Sequence, residues 1–266
     1  MTQKRSLQRL VETAVLLGTA TVLSLIRVVD LPFGGSVTAC SALPILLIAY
    51  RYGTRWGLFG AFVFSLLQLV TGMNALSYCP SFAAVVAVIL LDYCLAFTAL
   101  GFGGVFRRGR SQGRALVYGT VLTFSIRYVC HVIAGCTVWV GLSIPTEAAL
   151  LYSLAYNATY LVPETLVTVV GAWYLSAAVD FGGERPTRPR PVESTRRGIP
   201  LTAKTALAVS GIADVILVFS GWQDAETGGL SLTGLLNAPW IAVAAVTAAG
   251  IALAVLLTVL SRRKSR

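Results

Sequence analysis

The sequence predicts an all-α polytopic membrane protein, with a six-span core followed by a C-terminal two-span hairpin. Three observations carry this reading. Of 266 residues, 56% are hydrophobic and only 12% charged, with a mean hydropathy of +0.77; a soluble domain has about a quarter of its residues charged. The apolar residues gather into about eight runs of spanning type, roughly 10–26, 36–50, 56–72, 82–105, 115–140, 148–178, 205–222 and 239–260. Nineteen of the twenty-one lysines and arginines fall on alternate connections between these runs.

Taken in order, the first run follows Lys4, Arg5 and Arg9. It is long enough to span and lacks a small-residue cleavage pattern, which argues against a removable signal peptide. It carries Ala14-x-x-x-Gly18 with Ala20 nearby. Small residues at that spacing let another helix approach closely in lipid, and serve ordinary packing within the chain equally well. The second run is short and opens from the Gly34-Gly35-Ser36 turn, which suits a partial or tilted span. The sixth exceeds what a bilayer needs, and Pro163 is expected to kink it.

Residues 181–200 (FGGERPTRPRPVESTRRGIP) are rich in Pro, Gly and Arg and read as a solvated linker. They divide a core, residues 1–180, from a hairpin, residues 201–266, whose role the sequence leaves unassigned. There is no internal repeat. Within the hairpin only Asp214 is unusual.

The net charge of +10 would suit nucleic acid or anionic lipid, but its placement speaks for topology. The N-terminus, the connections at Arg51/Arg55 and Arg107–Arg114, the segment Arg185–Lys204 and the tail Arg262–Arg266 hold the basic residues. The other connections hold Arg27 alone, beside Asp30, Glu147, Asp224 and Glu226. Both termini are therefore expected in the cytoplasm, in a multi-pass protein of the cell membrane. Cys40, Cys79, Cys94, Cys130 and Cys136 form no CxxC pair and read as small reduced residues.

Chemistry concentrates on the fifth run. Arg127, His131, Gly135 and Trp139 recur every four residues, so one helical face carries a cation, an imidazole, a backbone gap and an indole. Asp92, Arg127 and Glu164 fall near mid-depth, where an unpaired charge costs roughly 3 kcal/mol. An Arg127–Glu164 pair would lessen that cost and leave Asp92 for a cationic ligand. Gly135 leaves room for a flat ligand against the backbone, and Trp139 can stack on it or serve the interfacial aromatic belt. Tyr152 and Asn157 on the sixth run add hydrogen-bonding groups at compatible depth. Together these groups describe an outward-facing pocket for a small, flat, partly cationic molecule, with the loops at Gly34 and Gly72–Pro80 as lids.

Several classes are excluded. No GxxxxGK[ST], HExxH or GxSxG occurs, and one histidine cannot build a multi-histidine metal site. No metal or cofactor is expected. Asp92 with His131 leaves open an acid–base pair, although no nucleophile stands beside it.

These blocks resemble the thiamine-specific substrate-binding (S) subunits of energy-coupling factor transporters. The matching stretches are Gly34-Gly35-Ser36-Val37-Thr38, Leu43-Pro44-Ile45, Arg51-Tyr52-Gly53, Trp56-Gly57-Leu58, Leu91-Asp92-Tyr93, Ala96-Phe97, Arg127-Tyr128, Tyr152-Ser153-Leu154 and Pro163-Glu164, with His131, Gly135, Trp139 and Asn157. They run in order over residues 8–180. The resemblance implies a six-helix S-component that captures thiamine on the extracellular side. It would dock on a transmembrane coupling subunit driven by two ATP-binding-cassette ATPases, and would not be an enzyme. It implies ligand-binding roles for Asp92, Tyr93, Arg127, His131, Gly135, Trp139, Tyr152, Asn157 and Glu164, and partner docking by Ala14, Gly18 and Ala20. The family acid at Asp92 is often Glu. An acid that some members carry before Leu-Pro-Ile has no counterpart here, and residues 181–266 depart from the pattern. Rival readings are an S-component for a thiamine precursor or another vitamin, an intramembrane enzyme using Asp92 and His131, and an assembly role for 201–266.

Overall fold

The computed structural model describes the backbone of residues 2–31, 34–141, 146–188, 199–222 and 236–264. Beside a short 3-10 helix over Met73–Tyr78, its described residues form eight longer helices that match the expected spans in order: α1 (Thr2–Leu25), α2 (Leu43–Tyr52), α3 (Thr54–Thr71), α4 (Phe82–Arg107), α5 (Gln112–Gly141), α6 (Thr146–Ala178), α7 (Leu201–Trp222) and α8 (Trp240–Lys264). The helices α3 to α8 are each long and apolar enough to cross a membrane. The polar first turns of α1 and the shortness of α2 keep those two outside that class.

The second run is a partial span, one of the two forms expected of it, and it opens on a strand that was not foreseen: Ser36–Thr38 is β2, antiparallel to β1 (Arg27–Asp30) with Asp30 opposite Ser36 and Arg27 opposite Thr38. The chain then bends through Cys40, at φ 60°, into α2, whose ten residues rise only about 15 Å. All of Leu43–Ala49 is buried. A helix buried on every side lies inside the bundle, and α2 forms its centre. Ile45, Leu46 and Ile48 join Ala20, Phe64, Leu100, Phe124 and Leu161 in the main core.

Gly53, at φ 90°, makes the sharp corner between α2 and α3, a left-handed conformation that a side chain resists. Against that corner lies the end of α4. A Cβ built on Gly101 would stand 2.3 Å from the Leu58 nitrogen and 2.4 Å from its Cα, so the two backbones touch.

α4 begins where Ser81 accepts a hydrogen bond from the Ala84 N–H (3.2 Å), a serine cap directly after Pro80. Across Val88–Leu95 it widens to a π-helical turn, with the Ala96 N–H reaching the Leu91 carbonyl five residues back. Such turns are rare and often found at functional sites. Pro163 lies inside the 33-residue α6.

Successive helices alternate in direction, so the start of α1 and the end of α8 lie at one end of the bundle, the termini end, and the β1–β2 hairpin at the other. Beyond α6, residues 180–188 turn back at the termini end, closed by paired backbone bonds between Asp180 and Thr187. This part of the linker is exposed but tied down: Arg51 donates to the carbonyls of Phe181 (2.9 Å) and Glu184 (3.1 Å), and Gln8 donates to the latter (2.8 Å). Residues 189–198 lie outside the described residues. α7 packs on α6 and pairs with α8, where Gly250 admits Ser210 at close range.

Gly101→Ala should lower stability by about 3 kcal/mol, because the added methyl meets backbone that cannot rotate away. Thermal unfolding in detergent reads this, and an unchanged midpoint would contradict the close approach.

Candidate functional site

At the hairpin end, α4, α5 and α6 surround a cavity of about 170 Å³. The β1–β2 hairpin covers one side through Gly34, Gly35 and Ser36, and the 72–79 segment covers the other through Gly72, Ala75, Tyr78 and Cys79. Both loops expected as lids thus border it. Of the nine residues expected at the ligand, seven line it: Asp92, Tyr93, Arg127, His131, Gly135, Asn157 and Glu164.

Two polar pairs sit in its wall. The His131 Nδ1 lies 2.9 Å from Asp92 Oδ1. With the carboxylate ionised, Nδ1 carries the proton, and the other ring nitrogen of a neutral imidazole is a bare acceptor. That nitrogen, Nε2, is buried and has no hydrogen-bond partner among the described residues. Asp92 is therefore not the lone carboxylate foreseen from spacing; an imidazole already holds it.

Deeper, Arg127 Nη1 stands 3.7 Å from Glu164 Oε2, both side chains 4% exposed. This is the pair expected from the sequence. Its guanidinium lies over the rings of Phe97 (4.6 Å) and Phe124 (4.8 Å), where the π faces supply part of the missing solvation. Glu164 Oε1 accepts from Thr38 on β2 at 2.9 Å, so the same carboxylate fastens the hairpin to α6.

Aromatic rings form the remaining wall. Tyr93 stacks on Phe97 (6.3 Å), Phe97 meets His131 edge-on (6.5 Å), and His131 meets Tyr160 likewise (6.0 Å). The Tyr93 hydroxyl donates to the Gly72 carbonyl (2.7 Å), and the Tyr156 hydroxyl accepts from the Gly35 N–H (3.2 Å). Each hydroxyl thus ties a covering loop to a helix. Outside the spans, burial and then the Asp92 charge push the Cys79 thiol above its usual range.

Four expectations need restatement. Gly135 lines the cavity, but its missing side chain chiefly serves helix contact: a Cβ there would lie 2.3 Å from Ser153 Oγ. That hydroxyl donates to the Val132 carbonyl (2.8 Å), and the Asn157 amide donates to the carbonyls of Ser153 (2.8 Å) and His131 (3.3 Å). Tyr152 is not in the cavity wall; it stacks, nearly parallel, on Tyr156, which is. The Trp139 side chain lies outside the described residues. On α1, Ala14 and Gly18 are exposed, with open space beside Gly18, whereas Ala20 points the other way into the core.

Sequence reasoning missed Tyr156, Tyr160 and Phe97. The signal was present for two of them: Tyr152, Tyr156, Tyr160 and Glu164 recur every four residues on α6, the period that marked α5.

The sequence matches the family described as "Thiamine transporter protein (Thia_YuaJ)" over residues 10–180. The chain belongs to this thiamine transporter family. Among relatives, the thiamine transporter ThiT of Bacillus subtilis (strain 168) is 31% identical over 182 residues, covering 64% of this chain and 91% of the relative. A solved structure of ThiT from Listeria monocytogenes superposes with a TM-score of 0.52 at 24% identity, covering 64% of this chain and 94% of that one. At that identity the likeness speaks for the fold, an all-helical bundle. The family is one of transporters rather than enzymes, and the chain is a multi-pass membrane protein. The family match ends at residue 180, so α7 and α8 lie beyond it.

Gly135→Ala should destabilise the protein by about 1–3 kcal/mol through the clash with Ser153. Adding Ser153→Ala should return part of the loss in a thermal melt. No rescue would mean that the α5–α6 approach is not what Gly135 permits.

Proposed function

We propose that this protein is the substrate-capture subunit of an energy-coupling factor importer and binds thiamine in the cavity between α4, α5 and α6. The observation that carries the reading is the Asp92–His131 pair in an aromatic wall, with the buried Nε2 of His131 lacking a partner. Thiamine joins a cationic thiazolium to an aminopyrimidine. An exocyclic amine can donate to Nε2, the Asp92 carboxylate opposes the cation's charge, and the rings of Tyr93, Phe97 and Tyr160 offer flat faces. Asn157 and Tyr160, bonded to each other at 2.6 Å, fix the wall on the α6 side. Arg127 and Glu164 act below as a structural pair that seats β2. Trp139 joins the ligand on sequence grounds alone.

The basic termini end faces the cytoplasm in this reading, and the hairpin end faces outward, so substrate enters between the two loops. The exposed small-residue face at Ala14 and Gly18 is the docking surface for a transmembrane coupling subunit, which two ATP-binding-cassette ATPases drive. Residues 1–180 form the binding unit, 181–200 the connection, and 201–266 an appended hairpin.

Asp92→Asn and His131→Ala should each weaken equilibrium thiamine binding by about 1–3 kcal/mol, tenfold or more, in a tryptophan-fluorescence titration. Wild-type affinity in both variants would remove the pair from the site, and tighter binding of riboflavin would point to another vitamin.

A chain ending at Arg188 should bind thiamine within about twofold of the full protein, well under 1 kcal/mol. A large loss would make the appended hairpin part of the binding unit.

A further inference from the structure

A second cavity, of about 420 Å³, lies at the termini end, between the first turns of α1, the end of α2 and the 180–188 turn. Its wall is cationic, with Arg5 and Arg9 from α1 and Arg51 from α2. The three guanidiniums differ in how fully they are answered. Arg51 is 4% exposed and fully engaged: Nε donates to Glu12 (2.9 Å), and the terminal nitrogens reach the carbonyls of Phe181 and Glu184. Arg5 meets Glu184 at 2.6 Å, but those side chains are 75% and 71% exposed. Such a pair yields readily to a competing ion. Arg9 lies over the Trp56 ring at 3.8 Å, and its Nε is buried without a hydrogen-bond partner among the described residues. A buried guanidinium N–H without an acceptor is costly and rare.

We propose that this cavity binds a phosphoryl anion, gripped by Arg5 and Arg9 against the fixed wall of Arg51. The planar guanidinium fork matches phosphate oxygens, and Arg9 is already held flat by the indole. On the orientation proposed above, the cavity sits where helix ends leave the bilayer, at the leaflet whose anionic lipids attract basic clusters. The anion comes from a phospholipid headgroup or from free phosphate in the cytoplasm. Either one displaces Glu184 from Arg5 while leaving the turn anchored on Arg51.

The full chain is reconstituted into vesicles of phosphatidylcholine with phosphatidylglycerol, re-extracted, and the lipid retained per protein counted by mass spectrometry. Both leaflets carry the lipid, so the result does not depend on orientation. Arg5→Ala and the double variant Arg5→Ala/Arg9→Ala run in parallel, as does thermal unfolding in inorganic phosphate against chloride at equal ionic strength. Thiamine titration reports the other cavity and shows that each variant is folded. A headgroup site predicts retained phosphatidylglycerol that falls roughly fivefold per guanidinium removed, equivalent to about 1 kcal/mol each. A free-phosphate site predicts stabilisation by phosphate that the double variant loses, with no lipid preference. Equal lipid retention and equal phosphate response in wild type and variants would overturn the proposal, whatever the outcome of the thiamine titration.

Discussion

Polar and ionisable groups inside a bilayer need partners, and the architecture of this protein follows from how it answers four such residues. Asp92, Arg127, His131 and Glu164 come from three helices whose surroundings are almost wholly apolar. Left apart, each ionised group would cost several kcal/mol. Two pairs remove most of that cost, Asp92 with His131 and Arg127 with Glu164, and both bridge neighbouring helices. The second pair also receives Thr38, so the need to satisfy one carboxylate sets where the β1–β2 hairpin sits. The cavity is the space these pairs and their aromatic neighbours enclose.

The pairs differ in what they leave over. Glu164 spends its oxygens on Arg127 and Thr38, and Arg127 rests between two phenyl rings, with its Nε and Nη1 buried and without a hydrogen-bond partner among the described residues. That pair is held by charge and ring faces, which suits holding structure. The imidazole keeps one nitrogen unanswered inside an aromatic wall, which is an open arrangement, suited to receiving a donor. The π-helical stretch from Val88 to Leu95 carries Asp92 and Tyr93, and places both toward the cavity. The regular backbone of α5 and α6 carries the partners.

Much of this was legible in the residues. The period of four on α5, the gathering of the three ionisable groups at one cavity and the Arg127–Glu164 pair follow from helical spacing and the cost of charge in lipid. What was not legible depended on long-range packing. Strands of three and four residues give no periodic signal, so β2 was hidden at the head of an apolar run and β1 in the connection before it. Gly135 offered a gap without saying what fills it, and the answer, Ser153, lies on another helix. Ala20 and Gly18 look alike in sequence, yet two residues of helix separate their faces by about half a turn. The tyrosines on α6 were within reach, because they share the period that identified α5.

The most direct measurement identifies the small molecule that leaves the purified protein when it is denatured. The account predicts thiamine, released in proportion to folded protein and absent from preparations in which the Asp92–His131 pair is removed. Release of a molecule with neither a cationic ring nor an aromatic amine, in the same proportion, would contradict it.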